Sequence, residues 1–303
     1  PYWGFTPDAY FPVVFAEKGL IRFDLTATLG AQTGDPVVES IASGTAINTV
    51  PDEAYATLTS ADGAAIAAAC AAFAQETGYD ISAEVDGETV TISSYGLTVH
   101  SMRPEDGQNA LMQLVVFLDS LALPPSDLAN ALDFMSTYFG METNGATMFG
   151  QVYTTEAGSL SMSVDLCAVN ATSATFSVDL RFPGGIDGNT QIRQPLQARL
   201  DESDSGLTYH EWAGATTPLY FPPDSPLIET LTGVYSDFTG DVTTAPLAIG
   251  GMSYAQELPN IVAYGALFPG RAELFHQIDE HVEIDDLTLA AKIYARAIYE
   301  LAK

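Results

Sequence analysis

Four histidines, His100, His210, His276 and His281, are the side chains best suited to proton transfer or metal binding near neutral pH. Their spacing forms no metal signature. His276 and His281 stand five apart, which misses the i,i+4 face of a helix. There is no HExxH, no CxxC and no phosphate-binding glycine loop. No Ser-His-Asp set can be picked from spacing, and a lone histidine is more often a satisfied polar residue than a ligand. Cys70 and Cys167 make no disulfide framework, which points to a cytoplasmic setting. Cys70 lies in an alanine-rich run and reads as a small buried apolar residue.

The charge balance narrows the partners. Ten Lys and Arg stand against 39 Asp and Glu in 303 residues, a net charge of −29. Nucleic-acid backbones and anionic membranes need basic surface, so neither is expected as a partner. With 47% hydrophobic and 16% charged residues the chain is globular. Its apolar runs are alanine-rich and broken by Gly, Asp or Glu, so no membrane span is expected. The opening Pro1-Tyr2-Trp3-Gly4 reads as the middle of a protein and not as a signal peptide.

Any chemistry has to be positioned by the following elements. Residues 1–17 read as irregular, with Pro7 and Pro12 blocking helix. Ile21, Phe23 and Leu25 alternate as a strand, and a second strand follows near Glu53–Leu58. Ser60 opens a helix that ends at Gly78, with Ile66, Cys70 and Phe73 on one face. Asp86-Gly87 turns a hairpin between Ile81–Val85 and Thr89–Ser93. Helices are predicted over Gln108–Leu121 and Asp127–Tyr138. Leu160, Met162, Val164 and Leu166 alternate, as do Phe176, Val178 and Leu180, which predicts paired strands Ser159–Ala168 and Thr175–Phe182. Residues 189–200 are weakly helical around Pro195, and Tyr209–Trp212 reads as a strand. Beyond the proline-rich run at 218–223 come a helix from Pro226 to Gly240, strands Ala245–Ile249 and Asn260–Phe268, and a last helix from Asp285 or Asp286. By this patterning alone the chain is an acidic α+β protein. The final segment reads as half of an α/β layer.

The strings around the histidines carry more than their spacing. Gly250-Gly251-Met252-Ser253-Tyr254-Ala255, Leu258-Pro259-Asn260 and Ala263-Tyr264-Gly265 precede Phe268-Pro269-Gly270, His276-Gln277 and Ile284-Asp285-Asp286-Leu287. Upstream stand Gly4-Phe5-Thr6-Pro7-Asp8-Ala9, Glu17-Lys18-Gly19, Asn48-Thr49-Val50-Pro51-Asp52, His100 with Pro104 and Gly107, and Asp179-Leu180-Arg181-Phe182-Pro183. Together and in this order, they resemble the co-catalytic zinc metallopeptidases of the PepV dipeptidase type. Relatives of that type are carnosinases, carboxypeptidase G and the amino-acid deacylases and desuccinylases.

The resemblance alone implies the α/β class of a whole catalytic domain, with an α+β lid domain inserted in it. Residues 1–17 would end the first part of the catalytic domain, 18–217 would form the lid in two halves (about 18–123 and 124–217), and 218–303 would complete the catalytic domain. It implies two Zn²⁺ ions, with Co²⁺ or Mn²⁺ as substitutes, and assigns Asp8 and His276 as metal ligands that come together in space. It assigns His100 as a donor to the oxyanion, Asn48 as its neighbour, Arg181 as the grip on the substrate's carboxylate, and Gly250 and Gly251 as backbone against which substrate lies. By residue type alone Asp8 is equally a turn cap, Asn48 a turn former and Arg181 a strand-end charge. The doubled lid implies a monomer acting on small dipeptides. An amino-acid N-deacylase of the same family, or a binding module without catalysis, would use the same cleft.

The departures from the pattern are specific. The sequence contains no His-x-Asp and no Glu-Glu pair, so a bridging ligand and a general base are missing. Met252 and Gln256 stand where the family usually has Thr and Arg. The expectation is a piece of a longer dipeptidase that by itself holds no metal pair and has no activity.

Overall fold

The computed structural model describes residues 2–275 and 279–303. Its largest element is an eight-stranded antiparallel sheet. In spatial order its strands are Thr208–Glu211, Gly19–Thr28, Ser173–Phe182, Ser161–Asn170, Val37–Ser43, Glu53–Thr59, Thr89–Tyr95 and Asp80–Asp86. Strands from early and late in the chain share this sheet, since Gly19–Thr28 lies between Thr208–Glu211 and Ser173–Phe182.

Period-two alternation builds the sheet. Ile21, Phe23, Leu25, Phe176, Val178 and Leu180 turn to one face and are buried there. Helices Gly63–Thr77, Ala110–Ser120, Asp127–Tyr138 and Gln194–Glu202 add Ile66, Cys70, Leu114, Leu132 and Leu196 to the same core. Asp62, Asn109 and Ser126 cap three of these helices by accepting from Ala65, Met112 and Ala129 N–H. The first helix thus starts three residues beyond Ser60, whose hydroxyl instead accepts from Asp62 N–H. Pro195 falls at the join of a π-turn, Gly188–Arg193, and the α-helix after it. In the first turn of a helix its missing N–H leaves nothing unpaired.

Two strand expectations change. Val37–Ser43 is a strand that the sequence reading passed over, because a bulge between Val38 and Ser40 breaks its alternation. In Ser161–Asn170 a bulge between Val164 and Leu166 reverses the inward phase. Met162 and Val164 face the core before it, Cys167 and Val169 after it, and Leu166 is displaced outward.

A second, smaller core forms around Val14–Glu17, whose four residues are all buried. This strand pairs with Leu219–Tyr220, Leu247–Ile249 and Ile261–Ala263, and Gly4–Thr6 extends the sheet beyond Ile261–Ala263. Of the stretch 1–17, Gly4–Thr6, Ala9–Tyr10 and Val14–Glu17 are therefore strands, too short for alternation to register. The stretch 260–268 is likewise split, into Ile261–Ala263 and Ala266–Leu267. Helices Pro226–Thr239 and Ile284–Leu301 cover the sheet with Leu227, Leu231, Ile293 and Ala297. Phe11 packs edge-on to Tyr264 at 5.0 Å in this core. Among the described residues no helix is long and apolar enough to cross a membrane.

The bulge in Ser161–Asn170 pushes the Asp165 carbonyl against Gly44, where an added Cβ would lie 1.9 Å from that oxygen. Gly44 also has φ +81°, as Gly78 has φ +75° at a helix end with open space around it. Gly78→Ala therefore costs only the left-handed strain, about 1–2 kcal/mol. Gly44→Ala adds a backbone clash and should cost about 2–5 kcal/mol. Urea midpoints of the two variants check this, and equal losses would show that the bulge yields freely.

Candidate active site

The sheet's second face carries polar side chains where solvent would be expected. Ser161 and Ser163 lie directly across from Arg181 and Asp179, and Asp179 lies across from Arg22. Asp165 sits on the bulge just beyond Ser163. Asp165 and Asp179 are 0% exposed and Arg181 is 4% exposed. Buried charges need partners, and Asp179 and Arg181 have them. Asp179 Oδ1 accepts from Arg181 Nε at 2.7 Å, and its Oδ2 accepts from Arg22 Nε at 3.0 Å and Arg181 Nη2 at 3.3 Å. Arg181 Nη1 donates to the Gly250 carbonyl at 2.8 Å. The fork of Arg181 is thus oriented by one carboxylate and one backbone oxygen.

The loop between strand Thr89–Tyr95 and helix Ala110–Ser120 closes over this face. Leu97 and Gln108 exchange backbone hydrogen bonds at 2.9 Å and pin the loop's neck. Asn109 caps the helix and also donates Nδ2–H to Val164 O at 2.9 Å. At the tip, Ser101 N–H donates to Asn48 O at 2.9 Å, and Thr49 bridges His100. Ser101 Oγ donates to Asp165 Oδ2 at 2.7 Å, and Ser163 Oγ donates to Oδ1 at 2.5 Å. His100 Nδ1 accepts from Met102 N–H at 3.0 Å, which puts the proton of the neutral ring on Nε2 and makes that atom a donor.

A third segment, residues 250–257, meets the loop from the smaller core. A Cβ on Gly250 would lie 3.0 Å from Met102 Cβ and 3.1 Å from Met102 O, so the two backbones approach as only glycine allows. Glu17 is 1% exposed and accepts from both N–H and Oγ of Ser253. Burial pushes its carboxyl up, against the pull of the Ser253 hydrogen bonds. The next N–H, Tyr254, donates to Asp8 Oδ2 at 3.0 Å. Lys18 Nζ reaches Ser161 Oγ at 3.3 Å, and burial pushes its ammonium down.

Of the residues singled out in the sequence, Asn48, His100, Arg181 and Gly250 fall in one chain of contacts. Gly251 follows in the same turn, and Asp8 joins through Tyr254. His276 lies outside the described residues, so its approach to Asp8 does too. His210 sits on an edge strand of the large sheet, and His281 Nδ1 pairs with the Asp279 carbonyl at 2.8 Å, both apart from these contacts. Asp165, Ser101 and Ser163 were not singled out. Serine and aspartate in an alternating strand read as its wet face, and no residue type announces a bulge. Glu17 and Lys18 stood in a quoted string without a role.

A metal does not fit the described donors. Among the described residues no three His, Cys, Asp or Glu side chains gather to hold one. Asp8 offers a single carboxylate whose Oδ2 already accepts Tyr254 N–H.

The chain as a whole matches known proteins. The family model "Peptidase family M20/M25/M40" matches residues 5–300. The chain belongs to this peptidase family. It is a family of metallopeptidases, so the chain's relatives are hydrolases. A dipeptidase-named protein of Bacillus subtilis (strain 168), YtjP, is 32% identical over 306 residues, spanning 100% of this chain and 64% of its own length. The Beta-Ala-Xaa dipeptidase of Lactobacillus delbrueckii subsp. lactis is 30% identical over 300 residues, spanning 99% of this chain and 62% of its own. The chain thus spans less than two thirds of these relatives. Among solved structures, the aminoacylhistidine dipeptidase of Vibrio alginolyticus aligns with 93% of this chain and 62% of its own, at 14% identity and a TM-score of 0.44.

Asp165 gives this family member a pH-dependent stability. Burial, and then the neighbouring Asp179, push its carboxyl up to about 8 from an ordinary 3.8, against the pull of the two serine hydroxyls and Arg181. The folded state therefore binds this proton more tightly than the unfolded chain. The stability from this group is full below about pH 4 and is lost as pH rises through about 8. Asp165→Asn removes the titration. Its unfolding free energy relative to wild type should rise by about 3–5 kcal/mol between pH 4 and 9. Urea titrations at several pH values check this, and a constant difference would place the ionised carboxylate comfortably in the fold.

Proposed function

We propose that this chain supplies the substrate-binding face of a metal-dependent dipeptidase. The observation that carries the reading is the shared contact path of Arg181, Gly250 and His100, where the large sheet meets the smaller core. Both assigned donors are preoriented, Arg181 by Asp179 and His100 by Met102 N–H. Preorganised donors lose little on meeting charge.

In this reading the free C-terminal carboxylate of a dipeptide meets the second N–H on each terminal nitrogen of Arg181. The Gly250-Gly251 backbone lies along the substrate. The Nε2–H of His100 donates to the carbonyl oxygen as it gains charge, and Asn48 holds the turn that carries His100. The dipeptidase names of the relatives support a small peptide as substrate. The resemblance assigns Asp8 and His276 to a pair of metal ions, zinc by preference. The remaining ligands and the general base have no counterpart in this sequence, so no step is derived through the metals. The reading includes a monomer whose doubled lid serves its own site.

The metal reading predicts that this chain, purified alone, holds no stoichiometric metal pair and turns over no dipeptide. Metal analysis by mass spectrometry with a dipeptide assay checks it. Two tightly held ions together with turnover would show that the ligand set has been misjudged.

The carboxylate reading predicts that, in the full-length metal-loaded enzyme, Arg181→Lys fails nearly as badly as Arg181→Ala. Lysine keeps the charge and loses the fork. A charge-assisted contact of about 1.5–3 kcal/mol corresponds to a fall in kcat/KM of roughly ten- to a hundredfold. C-terminally amidated dipeptides lack the contact and should show no such loss. Equal losses on free and amidated substrates would mean that Arg181 serves the fold through Asp179 and does not read the carboxylate.

A further inference from the structure

Asp165 has no part in the function proposed above, yet it is completely buried beneath the loop that carries His100. A fully buried carboxyl on a bulge is an unfavourable placement unless it does something a smaller residue could not. Its surroundings are specific. One oxygen takes the hydroxyl of Ser101, the residue next to His100, and the other takes the hydroxyl of Ser163 on its own strand. Ser163 lies across from Asp179, which orients Arg181. The bulge itself is locked from behind by Gly44, packed against the Asp165 carbonyl. A connected path therefore runs from the Arg181 side of the sheet through Asp165 to the side chain of Ser101, which stands between His100 and Met102, the residue whose N–H holds the ring.

We propose that Asp165 is a positioning residue for His100, seating the loop tip through Ser101 so that the imidazole is held at a fixed distance from Arg181. The inference rests on the reading of His100 as the oxyanion donor, although the placement of the ring can be measured without it. Asp179 and Arg181 are the charged groups that act on Asp165, and from the loop the Ser101 hydroxyl reaches it. Its carboxyl is pushed up to about 8 by burial and then Asp179, so near pH 7 the neutral acid predominates, and in that form one of the two serine bonds runs from the carboxyl O–H to the serine oxygen. Asparagine, which has the same shape and also both donates and accepts, is then its nearest substitute.

The test has two arms. In the first, histidine side chains of this chain are labelled with ¹⁵N, and the His100 signal is assigned by its disappearance in His100→Gln. Asp165→Ala should shift the His100 ring signals while those of His210 stay in place, and Asp165→Asn should return them close to wild type. Unmoved His100 signals in Asp165→Ala would overturn the proposal. In the second arm, in the full-length metal-loaded enzyme, Asp165→Ala should lower kcat ten- to a hundredfold with KM little changed. Asp165→Asn should recover most of that loss. Asp165→Ala added to His100→Ala should lower kcat no further, because the residue acts through the ring. A further tenfold fall in that background would make Asp165 a general structural residue and overturn the proposal. Should His100→Ala keep full kcat, the oxyanion reading fails by itself, and the shift of the ring signals still decides the positioning.

Discussion

A single buried carboxylate, Asp179, holds two guanidiniums, and the site depends on it. Arg22 and Arg181 reach it from neighbouring and same-strand positions of one sheet face. Removing Asp179 would leave the buried Arg181 guanidinium without its carboxylate, at a cost of about 3–5 kcal/mol, whereas removing one arginine still leaves Asp179 the other. Two arginines on one acid leave a local excess of positive charge. The Arg181 fork turns part of that excess toward the Gly250 carbonyl. Arg181 would have many rotamers on an exposed strand, and this pairing leaves it essentially one.

The chain's overall charge gives this cluster its weight. Only ten lysines and arginines offset 39 acids. Lys18, Arg22 and Arg181 nevertheless stand within reach of the same strand pair, bonded to Ser161 and Asp179. Any carboxylate approaching so acidic a surface is repelled except where cations are concentrated behind low-dielectric walls. Scarcity of cations elsewhere thus sharpens the contrast at this strand pair. Peripheral arginines such as Arg193 and Arg271 are instead neutralised locally by Glu211 and Asp286.

What the sequence made legible follows from which rules stay local. Alternation placed Ile21, Phe23, Leu25 and Phe176 on the core face, and cap residues with the glycine at 78 bounded the first helix to within three residues. Strands broken by a bulge were not legible, because one extra residue reverses the phase: Leu166 was read inward, and Cys167 turned in instead. The site divides the same way. Asn48, His100, Arg181 and Gly250 stood in strings that resemble a known pattern. Asp165 and Ser101 did not, since their role comes from three segments meeting far apart in sequence. Short polar residues have no local signature for such a meeting.

Glu17 and Lys18 show how one dipeptide can register both halves of the site. The strand Val14–Glu17 belongs to the smaller sheet, and Gly19–Thr28 begins the larger one, with only Lys18 between them. A Cβ on Gly19 would fall 2.7 Å from Phe182 and 2.8 Å from Pro218, so the crossing is packed tight on both sides. Glu17 holds Ser253 by its carboxyl, Lys18 O accepts from Gln256 Nε2 at 3.1 Å, and Lys18 N–H donates to Ile249 O at 3.2 Å. These contacts fix the segment containing Gly250. The Lys18 ammonium points the other way, to Ser161, directly across from Arg181. Movement of the smaller core against the large sheet would have to break backbone and side-chain bonds of the same two residues. The distance between Gly250 and Arg181 is therefore set at the crossing as much as by their own hydrogen bond, because the two segments that carry them are tied to one short stretch of chain.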